Sequence, residues 1–167
     1  MYMQKLSPYE LAQNPFTLIG KQWTLITTKA ANKTNAMTAS WGGVGILWNK
    51  PVATVYIRPQ RFTQELMEKS ERFSLCFLDD AFRKEYSYCG SASGRDQDKM
   101  AACGFTEISL DGAPAIGQSE LILTCRKLYC QRFTPESFLD PCVDTANYPN
   151  HDYHYMYIGE ILGAYQK

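Results

Sequence analysis

P-V-A-T-V-Y-I, residues Pro51 to Ile57, is a run of β-branched and aromatic residues entered through a proline, and it reads as a strand with that proline at its edge. The chain on either side of it reads the same way. Trp23 to Thr28 is W-T-L-I-T-T, and a further strand, Asn35 to Trp41, follows the polar turn Ala31-Asn32-Lys33-Thr34. Phe73 to Leu78, F-S-L-C-F-L, has the continuous apolar character of a buried strand. A long strand over Glu120 to Phe133 and a final one over His154 to Leu162 complete the set. Helical signals are fewer. Thr63 stands as an N-cap before Gln64 to Lys69, with Glu65 in the first turn. Asp80 is placed to cap a helix through Phe82 to Tyr88 that ends at Gly90, and a short helix over Asp96 to Ala102, ended by Gly104, sets down Lys99. Many short antiparallel strands with few helices predict a barrel. Between the last two strands, Thr134 to Asp152 opens with Thr134-Pro135-Glu136, a helix start with proline at its first position, and continues rich in Pro, Asp and Asn. A connection that long is expected to be a surface excursion with a functional or interfacial role.

The chain of 167 residues is read as one domain, residues 1–167, with enough apolar sequence (45%) for a sizeable core. The 17 basic and 17 acidic side chains balance, so the basic surplus of a nucleic-acid binder is missing. No stretch approaches the roughly 20 apolar residues that span a bilayer. The segment Met1 to Pro15 has no apolar run of signal-peptide length, and the cytoplasm is the expected compartment. The cysteines are Cys76, Cys89, Cys103, Cys125, Cys130 and Cys142, with no C-x-x-C pair, so neither a disulfide framework nor a zinc site is expected. Cys125 and Cys130 are expected on opposite faces of their strand.

Four constellations carry the chemistry. Asn35-Ala36-Met37-Thr38-Ala39-Ser40-Trp41-Gly42-Gly43 offers small residues that let a planar ligand approach the backbone. Gly42, Gly43 and Gly45 do not have dinucleotide-fold spacing and read as a glycine-rich turn between strands. Tyr56-Ile57-Arg58-Pro59-Gln60-Arg61-Phe62-Thr63 places two arginines at a helix entry, which suits a phosphate. Cys89-Gly90-Ser91-Ala92-Ser93-Gly94-Arg95-Asp96-Gln97-Asp98-Lys99 has the makings of an anion-binding loop, though it lacks the Gly-Lys-Ser/Thr of a P-loop. His154-Tyr155-Met156-Tyr157-Ile158-Gly159-Glu160 holds one of two histidines, the other being His151. No Ser/His/Asp set and no carboxylate pair is legible. Each constellation alone also has an ordinary structural reading.

In this order the four motifs, with W-N-K-P at Trp48 to Pro51, resemble the flavin reductase-like, FMN-binding split-barrel family, in the subgroup that includes flavoredoxin. The resemblance runs from roughly residue 18 to 163 and rests on the combination of motifs. Related proteins often read Gly-Asp-His where this chain has Asp152-Tyr153-His154. The resemblance implies a mainly β fold, a six-stranded Greek-key split barrel with a few peripheral helices, and a homodimer with FMN near its interface. Asn35 and Met37, Thr38, Ala39, Ser40 and Trp41 would then line the flavin ring. Arg58, Arg61, Phe62 and Thr63, with Cys89, Gly90, Ser91, Ser93 and Lys99, would hold the ribityl chain and phosphate, and His154 would contact the nicotinamide. A flavin carries its own redox chemistry, so no acid–base dyad is required. The expected activity is an FMN reductase passing electrons from NADH or NADPH to an acceptor. An electron-transfer protein with tightly bound FMN and a flavin-binding module without turnover are the alternatives.

Overall fold

The computed structural model describes residues 3–167. Met1 and Tyr2, the first residues of the segment read above for an export signal and of the domain span, lie outside it. In chain order the elements are β1 (Gln4–Leu6), α1 (Pro15–Thr17), β2 (Thr24–Ala30), β3 (Lys33–Ala39), β4 (Gly42–Leu47), β5 (Lys50–Ile57), α2 (Phe62–Lys69) and β6 (Arg72–Phe77). They continue with α3 (Arg83–Ser91), α4 (Lys99–Ala102), β7 (Glu107–Leu110), β8 (Ala113–Ile116), β9 (Leu121–Arg132), α5 (Pro141–Asn147) and β10 (Tyr155–Gln166).

One antiparallel sheet runs β3-β2-β6-β9-β10-β5-β4, with β1 added beside the far end of β10, and β7 and β8 form a separate hairpin. The end strands β3 and β4 are not paired to each other, so the curled sheet stays split. Side-chain alternation gives it two apolar faces. Ile26, Met37, Val55, Phe73, Phe77, Leu123 and Tyr157 fill the inside. Leu25, Ala36, Cys76 and Ile122, the residues next to inward ones, turn outward and are covered by Tyr86 and Cys89 of α3, Met100 of α4 and Ala115 and Ile116 of β8. The six strands β2, β3, β5, β6, β9 and β10 supply the buried strand residues of the inner core, in line with the six expected. The sheet itself has eight, because β1 and β4 extend it.

Local differences from the sequence reading have physical causes. Gly42, Gly43 and Gly45 form strand β4 rather than a turn, paired to β5 from Gly42↔Val55 to Leu47↔Lys50. The turn falls one step later, at Trp48 and Asn49, both with positive φ (51° and 57°). Ala31 and Asn32 make the same two-residue left-handed turn between β2 and β3. Pro51 lies inside the sheet, since β5 sits between β4 and β10. It is tolerated because the β10 register ends one residue later, at Val52↔Glu160. Helix α2 begins two residues early, with Arg61 in the N-cap place, and the Thr63 hydroxyl accepts from Asn35 Nδ2 (2.9 Å) instead of capping. Asp79, not Asp80, caps the turn that leads into α3, and α3 runs through Gly90 to Ser91. The Asp96 helix shortens to α4 because Asp98 caps it, while Gly104 (φ 62°) follows its end as expected. Strand β10 outruns Leu162 by four residues, pairing with β9 to Gln166. The excursion after β9 starts with a turn at Pro135–Ser137 and carries α5 as well. Cys125 and Cys130 do not take opposite faces as expected: a bulge in β9 between Lys127 and Tyr129 adds a residue, so they pair with Ile161 and Tyr157 on one face, Cys125 buried and Cys130 exposed near the strand end. Among the described residues, no helix is long and apolar enough to cross a membrane.

Candidate functional site

The pairing Ile57↔Tyr155 sets the residues just beyond it, Arg58 and His154, side by side where β5 ends and β10 begins. The end of β3 reaches the same place, with the Trp41 ring 5.3 Å from that of His154. Two cavities adjoin here. The first, about 230 Å³, is lined by Met37, Thr38, Ala39, Ser40, Trp41, Tyr56, Arg58, Arg61 and His154. The second, about 290 Å³, is lined by Met37, Arg58, Gln60, Arg61, Phe62, Thr63, Ser91, Ala92, Ser93, Gly94, Arg95 and Lys99. Met37, Arg58 and Arg61 belong to both walls.

The first cavity is aromatic, with two cations on its wall. Arg58 is matched: Nη1 lies 2.6 Å from Asp152 Oδ2, Nη2 donates to the Asn147 carbonyl (3.0 Å), and the guanidinium stacks over Tyr148 (5.1 Å). Gln60 Nε2 donates to the same Asp152 oxygen (2.8 Å), and these hydrogen bonds hold its carboxyl below the usual range. His154 is buried, with Nδ1 2.8 Å from the Tyr148 hydroxyl. Burial, helped by Arg58 and Arg61, pulls its pKa down to about 4, so the imidazole is neutral near physiological pH.

The second cavity is cationic. Lys99 is only 3% exposed, yet its Nζ donates to two backbone carbonyls alone, those of Cys89 (2.8 Å) and Ala36 (3.2 Å). Arg61 Nη1 donates to the Gly90 carbonyl (2.6 Å). Among the described residues neither cation has a carboxylate within ion-pair distance. Burial pulls both pKa values down, and Arg58 beside Arg61, then Arg61 beside Lys99, adds to this. Burying a cation without a counter-charge costs on the order of several kcal/mol. The last-turn carbonyls of α3 offset part of that through their partial negative charge. The N-terminal turn of α2, with Phe62 and Thr63 in the wall, adds free backbone donors from the other side. The cavity is therefore built to receive an anion. Arg95 does not add to this charge, because Glu65 pairs with it.

Of the residues singled out from sequence, Met37 to Trp41, Arg58, Arg61 and His154 meet in the first cavity, while Phe62, Thr63, Ser91, Ser93 and Lys99 meet in the second. Three line neither. Asn35 is buried and ties β3 to α2 through Thr63. Cys89 and Gly90 act through their carbonyls, which hold Lys99 and Arg61. They stand behind the walls of the two cavities. The Ser91 hydroxyl turns back to the Ser87 carbonyl (2.9 Å), and that of Ser93 accepts from the Arg95 amide (3.2 Å). The sequence reading missed Tyr56, Gln60, Ala92, Gly94 and Arg95 as lining residues, and Asp152 and Tyr148 behind them. Tyr56 and Gln60 lie inside a quoted motif, and Asp152 sits two residues before His154. Nothing local to Tyr148 marks it. Gly94 is required because a Cβ there would come within 2.2 Å of Asn35 Oδ1 and 2.7 Å of the Phe62 ring.

The family model described as "Flavin reductase like domain" matches residues 16–167. Among solved structures, the chain is similar to flavoredoxin from Methanosarcina acetivorans, with a TM-score of 0.71 and 25% identity over 87% of this chain and 68% of that one. It is also similar to an FMN-binding protein from Thermus thermophilus with bound p-hydroxybenzaldehyde (TM-score 0.70, 21% identity, 100% of this chain, 81% of that). A third similar structure is the Streptomyces globisporus C-1027 NADH:FAD oxidoreductase SgcE6 in complex with NAD and FAD fragments. Its TM-score is 0.65, with 15% identity over 87% of this chain and 74% of that one. Among curated proteins, none matches.

Proposed function

Because this chain belongs to the flavin reductase-like domain family, we propose that it binds one FMN per chain and works as an NAD(P)H-dependent flavin reductase. The observation that carries this reading is the pair Arg61 and Lys99, a half-buried and a buried cation held only by carbonyls, beside an aromatic cavity whose other cation, Arg58, is matched by Asp152. A flat neutral ring attached to a phosphate fits that division of charge. Arg61, Lys99, the first-turn amides of α2 and the segment Ser91 to Ser93 would hold the phosphate. Met37 to Trp41 would face the ring, and His154, neutral and on the wall, would meet the nicotinamide. Bound flavin supplies the two-electron redox chemistry. The protein's part is to orient the two rings and to keep water and stray charge from them.

A homodimer belongs to the same proposal. Ile46 and Trp48, on and just past edge strand β4, are 60% and 53% exposed, and Tyr129 stacks near Trp48, so an apolar face lies open at the edge of the sheet. The cytoplasm remains the proposed compartment, supported by six cysteines that are all free thiols. The final acceptor is left open by this reading.

The test is an absorbance spectrum of the protein with FMN before and after anaerobic NADH or NADPH. Bound flavin that bleaches within the mixing time supports the reductase. Retained flavin that neither nucleotide reduces favours the electron-transfer alternative. No FMN binding at micromolar concentration overturns the proposal. Sedimentation at a single-chain mass of 19.0 kDa with flavin bound would remove the dimer from it.

A further inference from the structure

The excursion between β9 and β10 does more than cover the site. Its helix α5 ends at Asn147, and Tyr148 follows as the cap residue, its amide donating to the Asp144 carbonyl (2.8 Å). The Tyr148 ring is fixed by Tyr153 (4.9 Å between centroids) and Phe138 (5.6 Å), with the Arg58 guanidinium over it. This packing leaves its hydroxyl 2.8 Å from Nδ1 of His154, and among the described residues that is the hydroxyl's one hydrogen-bond partner. The phenol keeps its proton, since burial raises its pKa.

Two arrangements of protons satisfy the distance. If Nδ1–H donated to the phenol oxygen, the phenol O–H would have no acceptor, and a buried unmade donor is costly. If the phenol donates to Nδ1, both atoms of that buried contact are satisfied, and the neutral ring carries its own proton on Nε2, on a side chain that lines the cavity. Nε2 has no protein partner among the described residues, and His154 lines the first cavity with Trp41 and Tyr56. The charged groups facing the imidazole are Arg58 and Arg61 from the segment after β5 and Asp152 from the approach to β10. The arginines disfavour a second ring proton and Asp152 only partly offsets them.

We propose that Tyr148 is a positioning residue that holds His154 as the neutral Nε2–H tautomer, so that the ring cavity offers one uncharged donor to a carbonyl oxygen. On the proposed function, on which this rests, that oxygen belongs to the nicotinamide carboxamide. The imidazole then orients the hydride donor and neither gives nor takes a proton.

The direct test is long-range proton–nitrogen correlation of the imidazoles in nitrogen-labelled, flavin-free protein near neutral pH. With His151 the only other histidine, assignment needs one variant, His151→Gln. The expected spectrum shows an unprotonated Nδ1 and a protonated Nε2 for His154, and a tautomer mixture in Tyr148→Phe, which keeps the ring packing. A protonated Nδ1 in the wild type overturns the proposal. In FMN-loaded protein, Tyr148→Phe is expected to raise the KM for the reduced nicotinamide about fivefold, with kcat and FMN affinity within about twofold. An unchanged KM overturns it as well. The two layers separate cleanly. Failure to bind FMN would sink the flavin reading while the tautomer stands. A wrong tautomer in a protein that still reduces flavin would sink this inference alone.

Discussion

Arg58 and Arg61 are three residues apart and both border the two cavities, yet they live in different electrostatic worlds. Arg58 faces a carboxylate, a carbonyl and a tyrosine face, all supplied by the excursion that ends at Asp152. Arg61 faces the end of α3, where it finds only the Gly90 carbonyl, with Lys99 in the same condition nearby. The charge of Arg58 is thus matched by its own chain, and Arg61 and Lys99 are left waiting for a charge from outside. Identical residue types in one short motif therefore do different work. Sequence proximity to a helix start says less about a guanidinium's role than what already occupies its donors.

The largest expected effect breaks this comparison at its centre. Arg61→Ala is expected to weaken FMN roughly ten- to a hundredfold, the loss of a charge-assisted phosphate contact worth about 1.5–3 kcal/mol, while leaving riboflavin binding nearly unchanged. Arg58→Ala is expected to shift the FMN-to-riboflavin ratio much less, because its charge is already spent on Asp152. Calorimetric titration of both ligands into both variants decides. A larger change in that ratio for Arg58→Ala would mean that the ion pair opens when ligand arrives, and the division of labour drawn here would be wrong.

The barrel was legible because strand alternation is a local signal. Pro51 to Ile57 and Phe73 to Leu78 show their buried faces in sequence, and each is a strand within a residue of the expected bounds. β4 was not legible. Its run Gly42-Gly43-Val44-Gly45 is weak in strand formers, and its place comes from pairing with β5, a tertiary effect that overrides propensity. The site was half legible for a related reason. Side chains that line cavities sit inside motifs, so Met37, Arg61 and Lys99 stood out. Asn35, Cys89 and Gly90 stood out too, but they serve as a tie and as two carbonyl acceptors, a distinction that depends on where a backbone oxygen points. Tyr148 reaches His154 from a loop whose length and composition announced a surface excursion with a functional or interfacial role but singled out no residue in it. No spacing rule connects them, because the contact depends on how α5 closes back over the barrel.

A smaller effect sharpens the contrast from the other side. Asp152→Asn removes the charge that matches Arg58 but keeps an acceptor of the same shape. The guanidinium then adds its charge to the field felt by a phosphate in the neighbouring cavity. FMN is expected to bind about two- to fivefold more tightly, in proportion to the modest worth of a partly exposed ion pair, with riboflavin unmoved. The effect should fade as salt is added, since it is a field rather than a contact. Equal gains for both ligands would point to a rearranged excursion instead. Weaker FMN binding in proportion to weaker riboflavin binding would show that Asp152 mainly holds the wall in place.

The last effect concerns the imidazole of the ring cavity in the absence of any ligand. The pKa of His154 is depressed in the folded chain to about 4, from an ordinary value near 6.5, chiefly by burial and then by Arg58 and Arg61. The unfolded chain therefore takes up a proton that the folded chain refuses as pH falls between those values. The stability tied to a neutral His154 is fully present above about pH 6.5 and is lost progressively as pH falls toward about 4, with a limiting slope of about 1.4 kcal/mol per pH unit. His154→Gln carries no proton to refuse and can still accept from Tyr148, so its own curve should be flatter over that window by the same amount. Urea unfolding of both proteins at half-unit pH steps gives the difference curve, in which the carboxylates that titrate in both proteins largely cancel. A difference that grows as pH falls identifies His154 as the group whose protonation the ring cavity resists. Parallel curves would mean that the imidazole protonates as readily beside Arg58 and Arg61 as in water. The ring cavity would then gain a second unmatched charge beside Arg61 in mild acid, and the electrostatic contrast between the two cavities would disappear there.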